Sequence, residues 1–255
     1  MTVPFENDTG NIVRKLARKS LKSEKRRNLM VVIAVALASC LICFSIVMAL
    51  STRQIEKNHV EDTYEAVYTK ITEEDVSTLK GLDDFSRVGE YYMLAVEPAE
   101  QGYNASYIYC DEETMYIARD QMKLLEGRLP QKEDEVVVSR YFLSNYGADA
   151  GIGEKVMLSS ESFHGEYTVT GIMEGYKEKE VNGSSILLSK EALKGWSGYD
   201  PADYRAYVHF KNEQQMDETE LTARSREIAK EYQLEMPIMN LSYMKFYKQP
   251  VNVSM

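Results

Sequence analysis

The sequence predicts an α+β protein in which one N-terminal transmembrane helix precedes a mixed α/β domain on the outer side of the membrane. Three observations predict it. Residues 29–50 form an apolar stretch without a charged side chain. Basic residues crowd the chain before that stretch and thin out after it. The remaining sequence alternates strand-like apolar runs with capped helix starts, separated by turn residues.

The apolar stretch, Leu29 to Leu50, has 22 residues. As a helix it spans about 33 Å, against a hydrocarbon core of roughly 30 Å. Twelve of its residues are Leu, Ile, Val or Phe, and together they favour insertion by on the order of −5 kcal/mol with no charge to oppose it. A cleaved signal peptide is the competing reading, since Val47-Met48-Ala49 is an acceptable cleavage tripeptide. Signal h-regions are shorter, about 7–15 residues, so a retained anchor fits better. Lys25-Arg26-Arg27-Asn28-Leu29 has a twin-arginine look, but no cofactor motif follows it.

Charge sets the orientation. Residues 1–28 carry eight basic and three acidic residues, while Arg53, Lys57 and Lys70 are the basic residues of the next 20 beyond Leu50. The positive-inside bias puts residues 1–28 in the cytoplasm and residues 51–255 outside the cell membrane. Taking the head from the 30 basic and 40 acidic residues of the chain leaves 22 and 37, so the rest is an acidic body of net −15. That charge suits attraction of cationic peptides, and it suits equally a well-solvated outer surface. Nothing in it points to nucleic acid.

Ahead of the anchor, Ile12, Val13, Leu16, Ala17, Ser20 and Leu21 recur at helical spacing among basic residues. This predicts a basic amphipathic helix on the inner leaflet, with Arg18, Lys19, Lys22, Lys25, Arg26 and Arg27 near lipid headgroups; a solvated topogenic tail is the bland alternative. Within the anchor, Ala34 with Ala38 and Ser39 with Cys43 are small-xxx-small pairs. Small residues let another membrane helix approach closely, so these four are the candidates for helix packing.

In the outer region, Thr72 with Asp75 makes a capping-box start for a helix to about Leu79. Tyr91–Val96 and Tyr103–Cys110 look like strands, and Glu135–Ser139 like a buried one, followed by a helix over Ser139–Tyr146. Lys155–Leu158 and Glu166–Ile172 read as a hairpin, and Ser184–Leu188 as a short strand. Tyr204–Lys211 alternates most cleanly, with Tyr204, Ala206, Val208 and Phe210 on one face. A last long helix runs from about Asp217 to Tyr232.

The chemical inventory is thin. His59, His164 and His209 have no partner at metal-ligand spacing and read as isolated surface histidines. Cys40 and Cys43 form a C-x-x-C inside the apolar helix, where metal or redox chemistry is not expected. Cys110 shares strand parity with Ile108 and reads as a small buried side chain. Neither a G-x-S-x-G nor a P-loop occurs, and acidic runs such as Glu73-Glu74-Asp75 and Glu133-Asp134-Glu135 read as solvated faces. No cofactor and no catalytic residue is expected.

The order of basic amphipathic helix, Lys25-Arg26-Arg27-Asn28, membrane helix and large outer domain resembles the N-terminal part of FtsX-like permeases, the membrane subunits of MacB-type ABC transporters. The most specific match is a series: Glu126-Gly127-Arg128-Leu129-Pro130, Glu135-Val136-Val137-Val138-Ser139, Ile152-Gly153-Glu154-Lys155-Val156 and Tyr167-Thr168-Val169-Thr170-Gly171-Ile172. The resemblance covers residues 11 to about 235.

The resemblance implies a permease subunit that is not itself an enzyme. It implies a permease dimer and an ABC ATP-binding subunit on the cytoplasmic side, whose ATP hydrolysis moves the outer domain for export or substrate extraction. The fold it implies is a porter-like part with a β-rich insertion near 124–188. The family pattern continues with three more membrane helices, so the resemblance implies either a fragment of a longer permease or a truncated product without transport activity. The alternative is a single-pass anchored sensor or binding module without an ATPase partner.

Overall fold

The computed structural model describes residues 9–99, 102–145, 150–175, 178 and 182–248. It divides into two compact units, with the boundary between Glu56 and Lys57.

The first unit is helical. Helix α1 (Thr9–Ser23) exposes Ile12, Val13 and Leu16. A turn at Glu24, whose carboxylate pairs with Arg27, separates it from α2 (Lys25–His59). No residue of α2 is buried, which is how a helix meant for lipid stands when alone. The Ser45 hydroxyl donates to the Leu41 carbonyl at 2.8 Å, so a polar group in the apolar stretch is satisfied within the helix. The helix runs 35 residues, longer than the apolar stretch that predicts it. The polar residues 51–59 carry it about 13 Å further, and its last three belong to the outer unit.

The outer unit is a mixed sheet with helices on both faces. Its strands are β1 (Ala66–Ile71), β2 (Phe85–Pro98), β3 (Asn104–Cys110), β4 (Met122–Gly127), β5 (Glu135–Ser139), β6 (Lys155–Ser159), β7 (His164–Gly175), β8 (Gly183–Leu188), β9 (Tyr204–Phe210) and β10 (Ile238–Met239). Among the described residues the sheet order is β10-β1-β9-β2-β3-β8-β5-β7-β4, with β6 paired to the other end of β7. β3 with β8 and β5 with β7 are parallel; the remaining pairs are antiparallel. Strands β4 to β8 therefore occupy one end of the sheet, and β1, β2, β9 and β10 the other.

Alternation divides the core. Tyr204, Ala206, Val208 and Phe210 of β9 join Val136 and Val138 of β5 on one face. Tyr207 and Val137 join Cys110 and Ile108 on the other. The helices α3 (Glu73–Lys80), α5 (Arg140–Asn145), α6 (Lys190–Gly195) and α7 (Glu218–Glu231) cover the first face through Val76, Phe142, Leu193, Leu221 and Ile228. Helix α4 (Glu112–Ile117) covers the second through Met115 and Ile117. Both faces of β5 are thus dry, which explains its unbroken Val-Val-Val run. Each such side chain contributes about 1.5–3 kcal/mol by burial.

Local chemistry sets the helix starts. Thr72 and Asp75 make the predicted capping box of α3, and Asp217 and Glu220 make another at α7. Ser139 does not begin α5 but caps it: its hydroxyl accepts from the Phe142 N–H at 3.0 Å. The expected end of that helix, Tyr146, lies outside the described residues. The β6–β7 hairpin pairs Lys155 with Thr168 through Ser159 with His164.

The acidic runs read as solvated faces are partly structural. Glu73 Oε1 receives Lys190 at 2.6 Å, and Asp75 closes the cap of α3. Glu135 is almost fully buried beside Arg128. Charge runs look uniform in sequence, but here Glu73, Asp75 and Glu135 each have their own donors.

Candidate functional site

Three stretches far apart in sequence meet where the chain passes from α2 into the outer unit: residues 57–64, 116–121 and 240–248. The last turn of α2 supplies the first. His59 Nε2 donates to the Asp120 carbonyl at 2.8 Å. Arg119 donates to the Glu61 carbonyl, and its guanidinium lies 3.6 Å from Asp62. The same guanidinium stacks 5.3 Å from the Tyr116 ring centroid, with Arg87 at 4.3 Å.

The third stretch straps the junction from the other side. Tyr247 donates to the Lys57 carbonyl at 3.3 Å, and the Lys57 ammonium sits 5.1 Å from the Tyr247 ring. Tyr247 stacks on Tyr243 at 5.2 Å, and the Tyr243 hydroxyl donates to Glu213 at 2.6 Å. Lys248 reaches the same carboxylate at 2.7 Å. Asn240 donates to the Tyr64 carbonyl at 3.0 Å and caps the turn holding Tyr243.

Beneath the strap lies a buried polar pair. His209 Nδ1 donates to Glu65 Oε1 at 2.7 Å and lies 3.1 Å from the Thr63 carbonyl. The other Glu65 oxygen accepts from the Phe210 N–H at 2.8 Å. Glu65 is fully buried, and burial holds its carboxyl above the usual range. Burial acts to lower the imidazole of His209, but the Glu65 carboxylate outweighs it and leaves His209 raised. The reading of His209 as an isolated surface residue is therefore corrected. Its strand face is polar in sequence, but the chain entering from α2 folds over it and brings Glu65 there.

Next to the junction is a groove of about 490 Å³, lined by Asn58, His59, Arg119, Asp120, Gln121, Lys123, Glu174 and Gly175. Gln121 joins it to the second core face by donating to the Tyr64 hydroxyl and accepting from Tyr207 at 3.4 Å. Desolvation pushes the phenol of Tyr207 up to about 12 and the carboxyl of Asp120 up to about 6. Among the described residues no group of three His, Cys, Asp or Glu side chains is placed to hold a metal.

The residues singled out in sequence lie elsewhere. Ala34, Ala38, Ser39 and Cys43 are exposed along α2. Arg18, Lys19 and Lys22 are exposed on α1, and Lys25, Arg26 and Arg27 on the first turn of α2. Cys110 is buried as expected, and burial pushes its thiol well up, so it packs rather than reacts. The junction itself has no sequence signal except the helix that leads to it.

The Gly127–Ile172 series has a physical basis. Arg128 donates from both terminal nitrogens to Glu135, at 2.8 and 2.7 Å, and the Gln131 N–H adds a third bond at 2.9 Å. Gly127 has φ +82°, and a Cβ there would meet the Thr170 carbonyl oxygen at 2.2 Å. The series thus pins the loop after β4 against β5 and β7.

A family model described as the MacB-like periplasmic core domain matches residues 29–226. Three solved structures are similar. The extracellular domain of the ABC-type transporter YknZ from Gram-positive bacteria is 15% identical, with TM-score 0.48, covering 68% of this chain and 97% of that one. A domain of a putative permease protein from Porphyromonas gingivalis is 14% identical, with TM-score 0.47, covering 74% and 98%. The periplasmic region of MacB from Actinobacillus actinomycetemcomitans is 11% identical, with TM-score 0.49, covering 72% and 91%. No curated protein matches the chain in sequence.

Proposed function

The chain belongs to the MacB-like periplasmic core domain family, and from that premise we propose that it is the anchor and outer domain of an ABC permease that couples ATP hydrolysis by a partner to movement outside the membrane. The observation that carries this reading is the junction. The last turn of α2, which belongs to the outer unit, is bonded there through His59 to the Asp120 carbonyl and through the Lys57 carbonyl to Tyr247, while Arg119 holds the Glu61 carbonyl just beyond it. A simple tether needs no such bonding.

Several further assignments belong to the same proposal. Residues 1–28 are cytoplasmic, and α1 lies on the inner leaflet through Arg18, Lys19, Lys22, Lys25, Arg26 and Arg27. Ala34, Ala38, Ser39 and Cys43 pack against other membrane helices, including those of a second permease copy. Residues 51–255 form the extracytoplasmic core domain, with a β-rich part at about 124–188 set into a porter-like part. The chemistry of ATP hydrolysis resides in the partner subunit.

The test uses the protein produced from its own locus. An ATP-binding subunit is expected to copurify with it. ATP is then expected to change amide exchange in residues 57–64 and 116–121. No associated ATPase, together with exchange indifferent to ATP, would leave the anchored binding module as the better account.

A further inference from the structure

We propose that β4 is a contact between two copies of this chain, the edge of one outer unit pairing antiparallel with the same edge of another. This rests on the reading that two permease copies meet in one membrane, and it says where their outer units touch.

The first observation is an end to the sheet. Among the described residues β4 lies last in the order, paired with β7 on one side and with no strand on the other. The backbone N–H and C=O groups of such an edge are a template for a further strand. Leu124 and Leu125 are half-buried there, and Lys123, Glu126 and Gly127 are exposed.

The second observation is a bulge that sorts the side chains. Lys123 stands opposite Glu174 and Leu124 opposite Met173, but Glu126 stands opposite Ile172, which leaves Leu125 as an extra residue. In an unbroken strand, residues three apart face opposite ways. Here the extra residue turns Glu126 to the face of Lys123. That face carries Val138, the β5 partner of Ile172, while Leu124 packs with Met173 on the other.

The third observation is the order of the charges. A two-fold axis between Leu124 and Leu125 sets Lys123 of each copy opposite Glu126 of the other. Both pairs lie on one face because of the bulge. Both strands carry the same extra residue, so the register stays in step. Within its own chain Lys123 has Glu174 across the ladder, but Glu126 has only Ile172. A second copy supplies Glu126 with a cation. An edge lysine ordinarily keeps strands apart. Here its counter-charge stands three residues along on the same face, which selects a strand of the same sequence running the opposite way.

Two six-residue strands bury little surface, so the contact is weak between free domains. Chains anchored in one membrane meet at a raised effective concentration, where a weak contact suffices.

The experiment uses the full chain at low density in phosphatidylcholine vesicles. Two populations carry a donor or an acceptor dye at Lys230→Cys, an exposed position on α7. Energy transfer above the level of random mixing is expected. Lys123→Glu alone sets carboxylate against carboxylate at both pairs, and Glu126→Lys alone sets ammonium against ammonium. Each is expected to weaken association roughly tenfold. A mixture of the two single variants re-forms both pairs and is expected to return transfer to its original level. A copy that failed to fold could not give that recovery. Transfer that survives in each single variant overturns the β4 contact and leaves the permease dimer standing. Loss in both without recovery on mixing overturns the contact as well. Random-level transfer in the unsubstituted chain overturns it together with the second-copy reading.

Discussion

Arg128 and Glu135 face each other in a two-pronged pair, Nη1 to Oε2 at 2.8 Å and Nη2 to Oε1 at 2.7 Å. The pair joins the loop after β4 to the first residue of β5. Arg128 first, and then the Gln131 N–H, hold the Glu135 carboxyl down at about 2. A depressed carboxyl contributes stability that is present above its unfolded value, 4.5, and lost as pH falls through about 2. Arg128→Lys keeps the charge and loses the fork. The melting temperature of the variant is expected to fall below wild type at neutral pH and to converge with it at the acid end. A gap that stays constant across that range would show that the fork is not linked to the titration of Glu135.

Gly89 sits where α4 crosses β2. A Cβ there would lie 2.6 Å from both the N and Cα atoms of Thr114. Thr114 cannot retreat, because its hydroxyl donates to the Glu90 carbonyl at 2.8 Å and its N–H is capped by Asp111 at 2.9 Å. Gly89→Ala is therefore expected to destabilise by about 1–3 kcal/mol, the range for overpacking. Denaturant unfolding of the full chain in detergent measures it, and a loss under half a kilocalorie, within the usual scatter of surface changes of about 0.5 kcal/mol, would contradict the close approach.

The buried pair of Glu65 and His209 makes a prediction about sign. The imidazole is raised above 6.5 by Glu65 against the opposing effect of burial. Removing the carboxylate charge leaves burial opposed only by Glu213 and the Thr63 carbonyl, so Glu65→Gln is expected to lower the His209 midpoint. The stabilisation that the charged imidazole draws from the pair is full below 6.5 and disappears as pH rises through the raised value. An NMR titration of the ring carbons reads this directly. A wild-type midpoint at or below the ordinary value would refute the pairing.

How much of this was legible depended on whether a neighbour in sequence or a neighbour in space decides the structure. Glu135–Ser139 and Tyr204–Phe210 were readable because their faces are uniform: one is apolar on both sides, the other alternates. The α3 cap was readable because Thr72 and Asp75 are three residues apart. β1 was not, because Lys70 takes φ +53° and shifts the register between Thr69 and Ile71, which breaks the alternation. β4 is not legible because it is a half-exposed edge carrying Lys123 and Glu126. α4 and α6 are six residues each, too short to show a helical period. The junction was invisible for a different reason: His59, Asp120 and Tyr247 become neighbours only through the topology of the sheet, and none belongs to a motif.

The strap at the junction predicts where exchange will loosen first. Tyr247 carries three contacts at once: the stack on Tyr243, the Lys57 ammonium at 5.1 Å and the hydrogen bond to the Lys57 carbonyl. An aromatic pair is worth about 0.5–1.5 kcal/mol beyond its burial, which is up to about tenfold in an opening equilibrium. Tyr247→Leu keeps apolar bulk and removes the stack, the cation–π contact and the hydroxyl. Amide exchange at Val60 and Thr63, whose N–H groups close the turn leading out of α2, is expected to accelerate by up to about that factor. The Val136–Val138 amides, buried in the centre of the sheet, are expected to hold their rates. Equal acceleration at both places would mean that Tyr247 supports the whole outer unit rather than the helix end, and the coupling reading of the junction would lose its footing.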